Sequence, residues 1–179
     1  MEKKIRRINV FGGPGLGKST IAAKLFSELK IKGYDVEHIN EYIKTWAHQG
    51  VLPVSFDQIY VFAKQMHAED VALRNVKLIV TDCPLMMCCT YARYYGFGPY
   101  VELTEITKQF DEAFPPLNLL IERSVDYNPA GRYQTFDEAK QVDILLKDVM
   151  SAHCKDDFTP VRVDDFPSIL SLVESHVEP

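Results

Sequence analysis

The chain has 179 residues, enough for one domain with a substantial core and too few for two independent folds. Lys+Arg of 20 against Asp+Glu of 25 gives a net charge of -5, and 46% apolar with 25% charged residues excludes the fibrous and disordered classes. A pI near 5.5 supplies no global positive field for nucleic acid, which disfavours a free-standing DNA-binding module. In chain order, Lys3, Lys4, Arg6 and Arg7 read as a solvated basic lead-in to an apolar run over 5–11 that ends beside Gly12 and Gly13, a buried strand entering a glycine loop. Helical spacing follows over 19–30, then a second strand over 35–40, a helix over 56–74 and a third strand over 77–82. Helices over 85–95 and 102–114 precede a fourth strand over 117–122. A polar stretch over 124–134 contains Asn128, Pro129 and Gly131 and reads as a mobile loop, the centre of a lid over about 123–135. Thr135 and Glu138 then have capping-box spacing before a helix over 137–153, and a fifth strand over 161–164 and a helix over 168–175 complete the pattern.

This alternation, with apolar runs such as Leu78-Ile79-Val80 and Leu119-Leu120-Ile121, predicts an α/β fold in a single domain over 1–179, with a parallel sheet of about five strands covered by helices on both faces. No run approaches the roughly 20 apolar residues that span a bilayer, so a cytoplasmic protein without membrane contact is expected. Cys83, Cys88, Cys89 and Cys154 fit neither metal-site spacing nor a disulfide framework and read as reduced thiols. The adjacent Cys88 and Cys89 diverge on a helix and read as packing residues.

Gly12-Gly13-Pro14-Gly15-Leu16-Gly17-Lys18-Ser19 matches the phosphate-loop pattern G-x-x-x-x-G-K-[ST] between a strand and a helix. Glycines let backbone amides wrap phosphate oxygens, and the helix N-terminus adds its partial positive charge. The residues from Gly12 to Thr20 are therefore expected to bind ATP, with Lys18 on the β- and γ-phosphates and the Ser19 hydroxyl on magnesium. The third strand ends in Asp82, the place for a second magnesium-organising carboxylate, against the alternative that Asp82 caps the turn at Pro84.

No Asn-Lys-x-Asp segment is present, which removes the main support for a guanine-nucleotide switch. A mechanical ATPase of the AAA+ type is disfavoured by the roughly 15 residues that follow Asp164. A small-molecule kinase instead needs cations that fold over the transferring phosphoryl, and Arg123 and Arg132, bracketing the lid, are the expected catalytic clamp, the alternative being two solvated arginines.

The loop, Glu41-Tyr42 after the second strand, Thr81-Asp82-Cys83-Pro84-Leu85 after the third, and Arg123 through Gly131-Arg132-Tyr133-Gln134-Thr135 together resemble the phosphate-loop nucleoside and nucleotide kinases. The pattern is similar to a phage-rich branch related to the nicotinamide riboside kinase domain of NadR and to the bacteriophage kinases that phosphorylate 5-hydroxymethyluracil in DNA. The resemblance implies a sheet ordered 2-3-1-4-5 and ATP- and Mg2+-dependent transfer to a nucleoside-type acceptor, free or within DNA. It also implies that Glu41 is the base toward the attacking hydroxyl, although Asp82 competes for that role and a helix-terminal charge is the plainer reading of Glu41. Asp82-Cys83 replaces the Asp-Arg of monophosphate kinases, which favours a hydroxyl over a phosphate acceptor. A homodimer is the assembly to test.

Ligands of open α/β sheets bind beyond the carboxyl ends of the strands. There Lys44 is an expected acceptor contact, and Trp46 is either a stacking surface or a cleft wall. Gln58, Phe62, Gln65 and Glu69 share one helix face on which Gln58 and Gln65 could read a base edge, the alternative being a solvated face. His67 and His153 lack partners at ligand spacing and read as structural.

Overall fold

The strand that enters the glycine loop, β1 (Arg7–Phe11), is the middle of a five-stranded sheet in the computed structural model, which describes residues 4–54, 56–123, 134–154 and 157–178. The other strands are β2 (Val36–Ile39), β3 (Leu78–Thr81), β4 (Pro116–Ile121) and β5 (Thr159–Val161). Their order is β2-β3-β1-β4-β5 and every pairing is parallel, as expected. Register sets Asn9 beside Thr81 and Asn118, and Ile39 beside Thr81, so β2 and β3 end level and β1 runs two residues further at the same edge of the sheet.

The helices are α1 (Lys18–Ile31), α2 (Lys44–His48), α3 (Asp57–Leu73), α4 (Leu85–Tyr94), α5 (Tyr100–Ala113), α6 (Phe136–Cys154) and α7 (Phe166–Glu174). Alternate residues of β1 and β4 serve opposite faces. Ile8, Val10, Leu117 and Leu119 pack with Leu25 and Leu29 of α1 and Ile169 of α7, while Phe11 and Leu120 pack with Phe62 of α3, Met87 of α4 and Leu146 of α6. Both faces are thus buried, which is why these strands read as continuous apolar runs and not as alternation. Among the described residues no helix is long and apolar enough to cross a membrane.

Three expectations need correction. Arg7 is not solvated. It is fully buried, with Nε donating to Glu69 Oε2 of α3 at 3.1 Å and Nη1 donating to Asp111 of α5, and its guanidinium lies 4.7 Å from the Phe110 ring centroid. The expected solvated alternative for the Gln58, Gln65 and Glu69 stripe fails too, since all three are buried, Glu69 against this cation and Gln65 beside Glu69. The fifth strand also ends earlier than 164, because Arg162 pairs with Asp164 in an exposed turn and the Asp165 carboxylate accepts from Ser168 N to start α7, with a proline in its first turn.

Candidate functional site

The phosphate loop joins β1 to α1. Gly15 and Gly17 have φ of 80° and 82°, left-handed values that a side chain would strain. Gly17 is also the N-cap of α1 and makes no side-chain cap, so the first amides of the helix face the loop as an anion site. Lys18 Nζ donates to the Gly13 carbonyl at 3.0 Å, which holds the ammonium over the loop. Thr20, the last of the expected nucleotide contacts, is exposed on the first turn of α1.

Arg123, two residues beyond β4, is tied to the same loop. Its Nε donates to Asp143 Oδ2 of α6 at 2.6 Å and its Nη2 to the Pro14 carbonyl at 3.0 Å. Asp143 in turn lies against Gly13, where an added Cβ would come within 1.9 Å of Asp143 Oδ1. Arg132 and most of the expected lid fall outside the described residues. At the far end of that segment Thr135 N donates to Glu138 Oε2 at 2.6 Å and Glu138 N to Thr135 Oγ1 at 3.3 Å, the reciprocal box that the sequence spacing predicts.

Asp82 follows β3 and is fully buried. Its Oδ1 accepts from Glu41 N at 3.0 Å and its Oδ2 from Lys44 Nζ at 2.8 Å, and Lys44 Nζ also donates to Ser19 Oγ. Burial pushes the Asp82 carboxyl up, but hydrogen bonds from Lys44 and Ser19 outweigh it and leave its pKa below the usual aspartate value. Ser19 and Asp82 present a hydroxyl and a carboxylate, hard oxygen donors suited to a magnesium ion whose remaining ligands are phosphate and water. A cation is already drawn between them. Among the described residues no cluster of three His, Cys, Asp or Glu could hold a metal with protein ligands alone.

Beside this cluster opens a cleft of about 790 Å³, open solvent at its mouth included, whose walls carry Lys18, Glu41, Lys44 and Gln58. With Pro14 of the phosphate loop, five sequence-predicted residues from five separate elements or loops therefore meet in one space. Gln65 does not. It is fully buried behind the wall, accepting from Tyr42 N at 3.1 Å and reaching Glu69 and Thr81 at 3.4 Å each, so it anchors the segment that carries Glu41. Trp46 stacks on Tyr60 with ring centroids 6.1 Å apart. The cleft also holds Tyr91 and Tyr95 of α4 and its C-terminal end, which the sequence did not single out, and Cys83 and Cys88, expected only as reduced thiols and, for Cys88, packing, whose sulfurs lie 4.0 Å apart. Cys89 instead faces Thr107 of α5, so the adjacent pair diverges as expected, and burial pushes its thiol up to about 12. Asp143 was missed as well, because a lone aspartate on an amphipathic helix carries no signal without knowledge of what packs against it.

A phosphate loop at the carboxyl end of the central strand of a 2-3-1-4-5 parallel sheet defines a phosphate-loop nucleotide-binding fold. The chain matches the family described as AAA domain over residues 7–164 and belongs to that family. No curated protein matches it by sequence. Among solved structures it is similar to NadR protein in complex with NR, with a TM-score of 0.71 and 14% identity over 98% of this chain and 53% of that one. NadR protein in complex with NAD and AMP-PNP gives a TM-score of 0.65 at 13% identity, over 96% of this chain and 49% of that chain. The chain thus spans about half the length of the NadR structures. Deoxyadenosine kinase from M. mycoides, with products dCMP and a flexible dCDP bound, gives a TM-score of 0.59 at 16% identity, over 94% of this chain and 97% of that one. At these identities the likeness is one of fold.

Proposed function

We propose that the chain is an ATP-dependent kinase that transfers the γ-phosphoryl to a hydroxyl of a nucleoside-type acceptor. The observation that carries this reading is the convergence of Lys18, Glu41 and Gln58 on one cleft beside the Ser19 and Asp82 pair. A hydrolase needs only the phosphate side of such a site. Here a carboxylate and a buried amide line the space beyond it, where a second substrate would lie.

In this mechanism the amides from Gly12 to Ser19 hold the phosphates, and Lys18 leaves the Gly13 carbonyl to follow charge onto the leaving oxygen. Ser19 and Asp82 would hold magnesium, which supplies charge neutralisation for the phosphates. Glu41 takes the acceptor proton as the acceptor oxygen bonds to the γ-phosphorus and the bond to the β-phosphate oxygen breaks, releasing ADP. Two facts favour Glu41 over Asp82 as base: Asp82 is fully buried with both oxygens engaged, and Glu41 lines the cleft. Gln58, 5% exposed on the cleft wall, presents one donor and one acceptor to a heterocycle edge. On the strength of the sequence pattern, Arg132 joins Arg123 as the clamp on the transferring group.

The test is a panel of free nucleosides, nucleotides and 5-hydroxymethyluracil-containing DNA with magnesium-ATP, in which one class stimulates ADP release and gains radiolabelled phosphate. The AAA-domain match favours a second reading, ATP hydrolysis without an acceptor. ADP release at one rate regardless of every acceptor would establish that reading in place of the first.

A further inference from the structure

The ammonium of Lys44 occupies a specific place: it donates to Ser19 Oγ and to Asp82 Oδ2 at 2.8 Å, the two groups that suit a magnesium ion. The aspartate of this pair is fully buried, and Lys44 is about one-third exposed on a helix of five residues. We infer that Lys44 is an internal counter-cation of the metal position, and that it yields this position when a divalent cation enters with the nucleotide phosphates. The inference rests on the phosphate-side half of the proposed function and adds a role for Lys44 that an acceptor contact alone does not include.

The physical reason is the cost of leaving the Asp82 carboxylate buried and unpaired. In the nucleotide-free chain Lys44 satisfies it, and with metal bound the pairing becomes redundant and repulsive, since two cations cannot share one pair of oxygens. The long flexible stem of a lysine suits a group that must leave, whereas a rigid arginine fork would not. Once released, the ammonium faces the cleft that the side chain already lines. Departure also perturbs α2, which carries Trp46, the single tryptophan of the chain, stacked on Tyr60.

Metal binding therefore competes with Lys44, and the apparent affinity of the metal-bound nucleotide is reduced by the fraction of chains in which Lys44 holds the site. The experiment is calorimetric titration of ADP, with magnesium and with chelator, into the wild-type chain, Lys44→Met and Lys44→Arg, with Trp46 emission recorded in parallel. Lys44→Met should bind magnesium-ADP about threefold or more tightly than wild type, while metal-free ADP, which loses a nearby positive charge, binds no better. Lys44→Arg, which keeps the charge and leaves less readily, should bind magnesium-ADP no more tightly than wild type. In the wild-type chain magnesium-ADP should change Trp46 emission and metal-free ADP should not. Weaker magnesium-ADP binding by Lys44→Met, or equal emission changes with and without metal, would overturn the exchange. Failure of the wild-type chain to bind either form would instead remove the nucleotide-binding reading on which the exchange depends, and the exchange with it.

Discussion

Gly13 and Asp143 are packed so closely that a single carbon added to Gly13 would meet Asp143 Oδ1 at 1.9 Å and the Ala139 carbonyl at 3.3 Å. This contact, together with Arg123, ties α6 to the phosphate loop from a direction that the loop motif does not reveal. Gly13→Ala is expected to push Asp143 off Arg123 and to weaken ATP binding by about tenfold or more, a loss comparable to a buried charged hydrogen bond. The double variant Gly13→Ala/Asp143→Ala should recover part of that loss. Calorimetric ATP titration of both variants is the measurement, and a double variant no better than the single would show that the Ala139 carbonyl, not Asp143, sets the limit.

Lys18 lines the cleft and belongs to none of the apolar clusters, so its loss should be felt in chemistry and not in folding. Lys18→Ala is expected to lower acceptor phosphorylation by at least about a hundredfold, because the charge that tracks the transferring phosphoryl disappears. The melting temperature should stay within about 2 °C of wild type, as for ordinary substitutions away from a packed core. Near-normal turnover with intact melting would place the phosphates elsewhere.

Gln58 differs from Gln65 in what it touches, although both lie on one stripe of α3. Gln58→Leu should raise the acceptor KM by about tenfold or more and leave the ATP KM unchanged, since an amide that pairs with a substrate edge is lost. Gln65→Leu strands the Tyr42 amide and should act on stability, by about 1–3 kcal/mol. Steady-state kinetics and urea unfolding on both variants separate the two roles, and exchanged phenotypes would reverse the assignment.

Arg7 is the cation at the centre of a buried group with Glu69 and Asp111. Burial pushes the Glu69 carboxyl above its usual range, with Arg7 pulling it back, and the same two opposing causes leave Asp111 raised. Arg7→Met removes the pull, so it should cost about 3 kcal/mol or more at neutral pH. A carboxyl whose pKa in the folded state is raised contributes most below its unfolded value and loses that contribution as pH climbs through the folded value. The gap between wild type and Arg7→Met should therefore widen from pH 5 to pH 8 in urea unfolding. A gap that is constant across this range would mean that Glu69 stays charged without its partner.

What the sequence disclosed follows from which signals are local. The phosphate loop, the alternation of strand and helix, and the Thr135–Glu138 box are each written within a few consecutive residues, and the structure has them where the spacing puts them. Glu41 and Asp82 were legible from their places just after strands, because parallel sheets gather those ends. Arg7 was misread because its charge looks solvated until Glu69 and Asp111, 62 and 104 residues away, are brought against it. Gln58 and Gln65 could not be told apart by spacing, since helix periodicity assigns a face but not which turn of that face stands behind a wall.

The two oxygens of Asp82 have separate duties: one fixes the backbone of Glu41, the other holds the cation beside Ser19. A rigid planar group of this kind leaves little room for either neighbour to drift alone. Attempts to redirect the chain to another acceptor by grafting a foreign segment over 41–44 would thus disturb the metal side at once. On the proposed reading, changes on the α3 and α4 walls, at Gln58, Tyr91 and their neighbours, would act on the acceptor while that carboxylate stays in place. The molecule thus separates an adjustable wall from a fixed corner, and directed evolution of specificity should accumulate its successful substitutions on the wall.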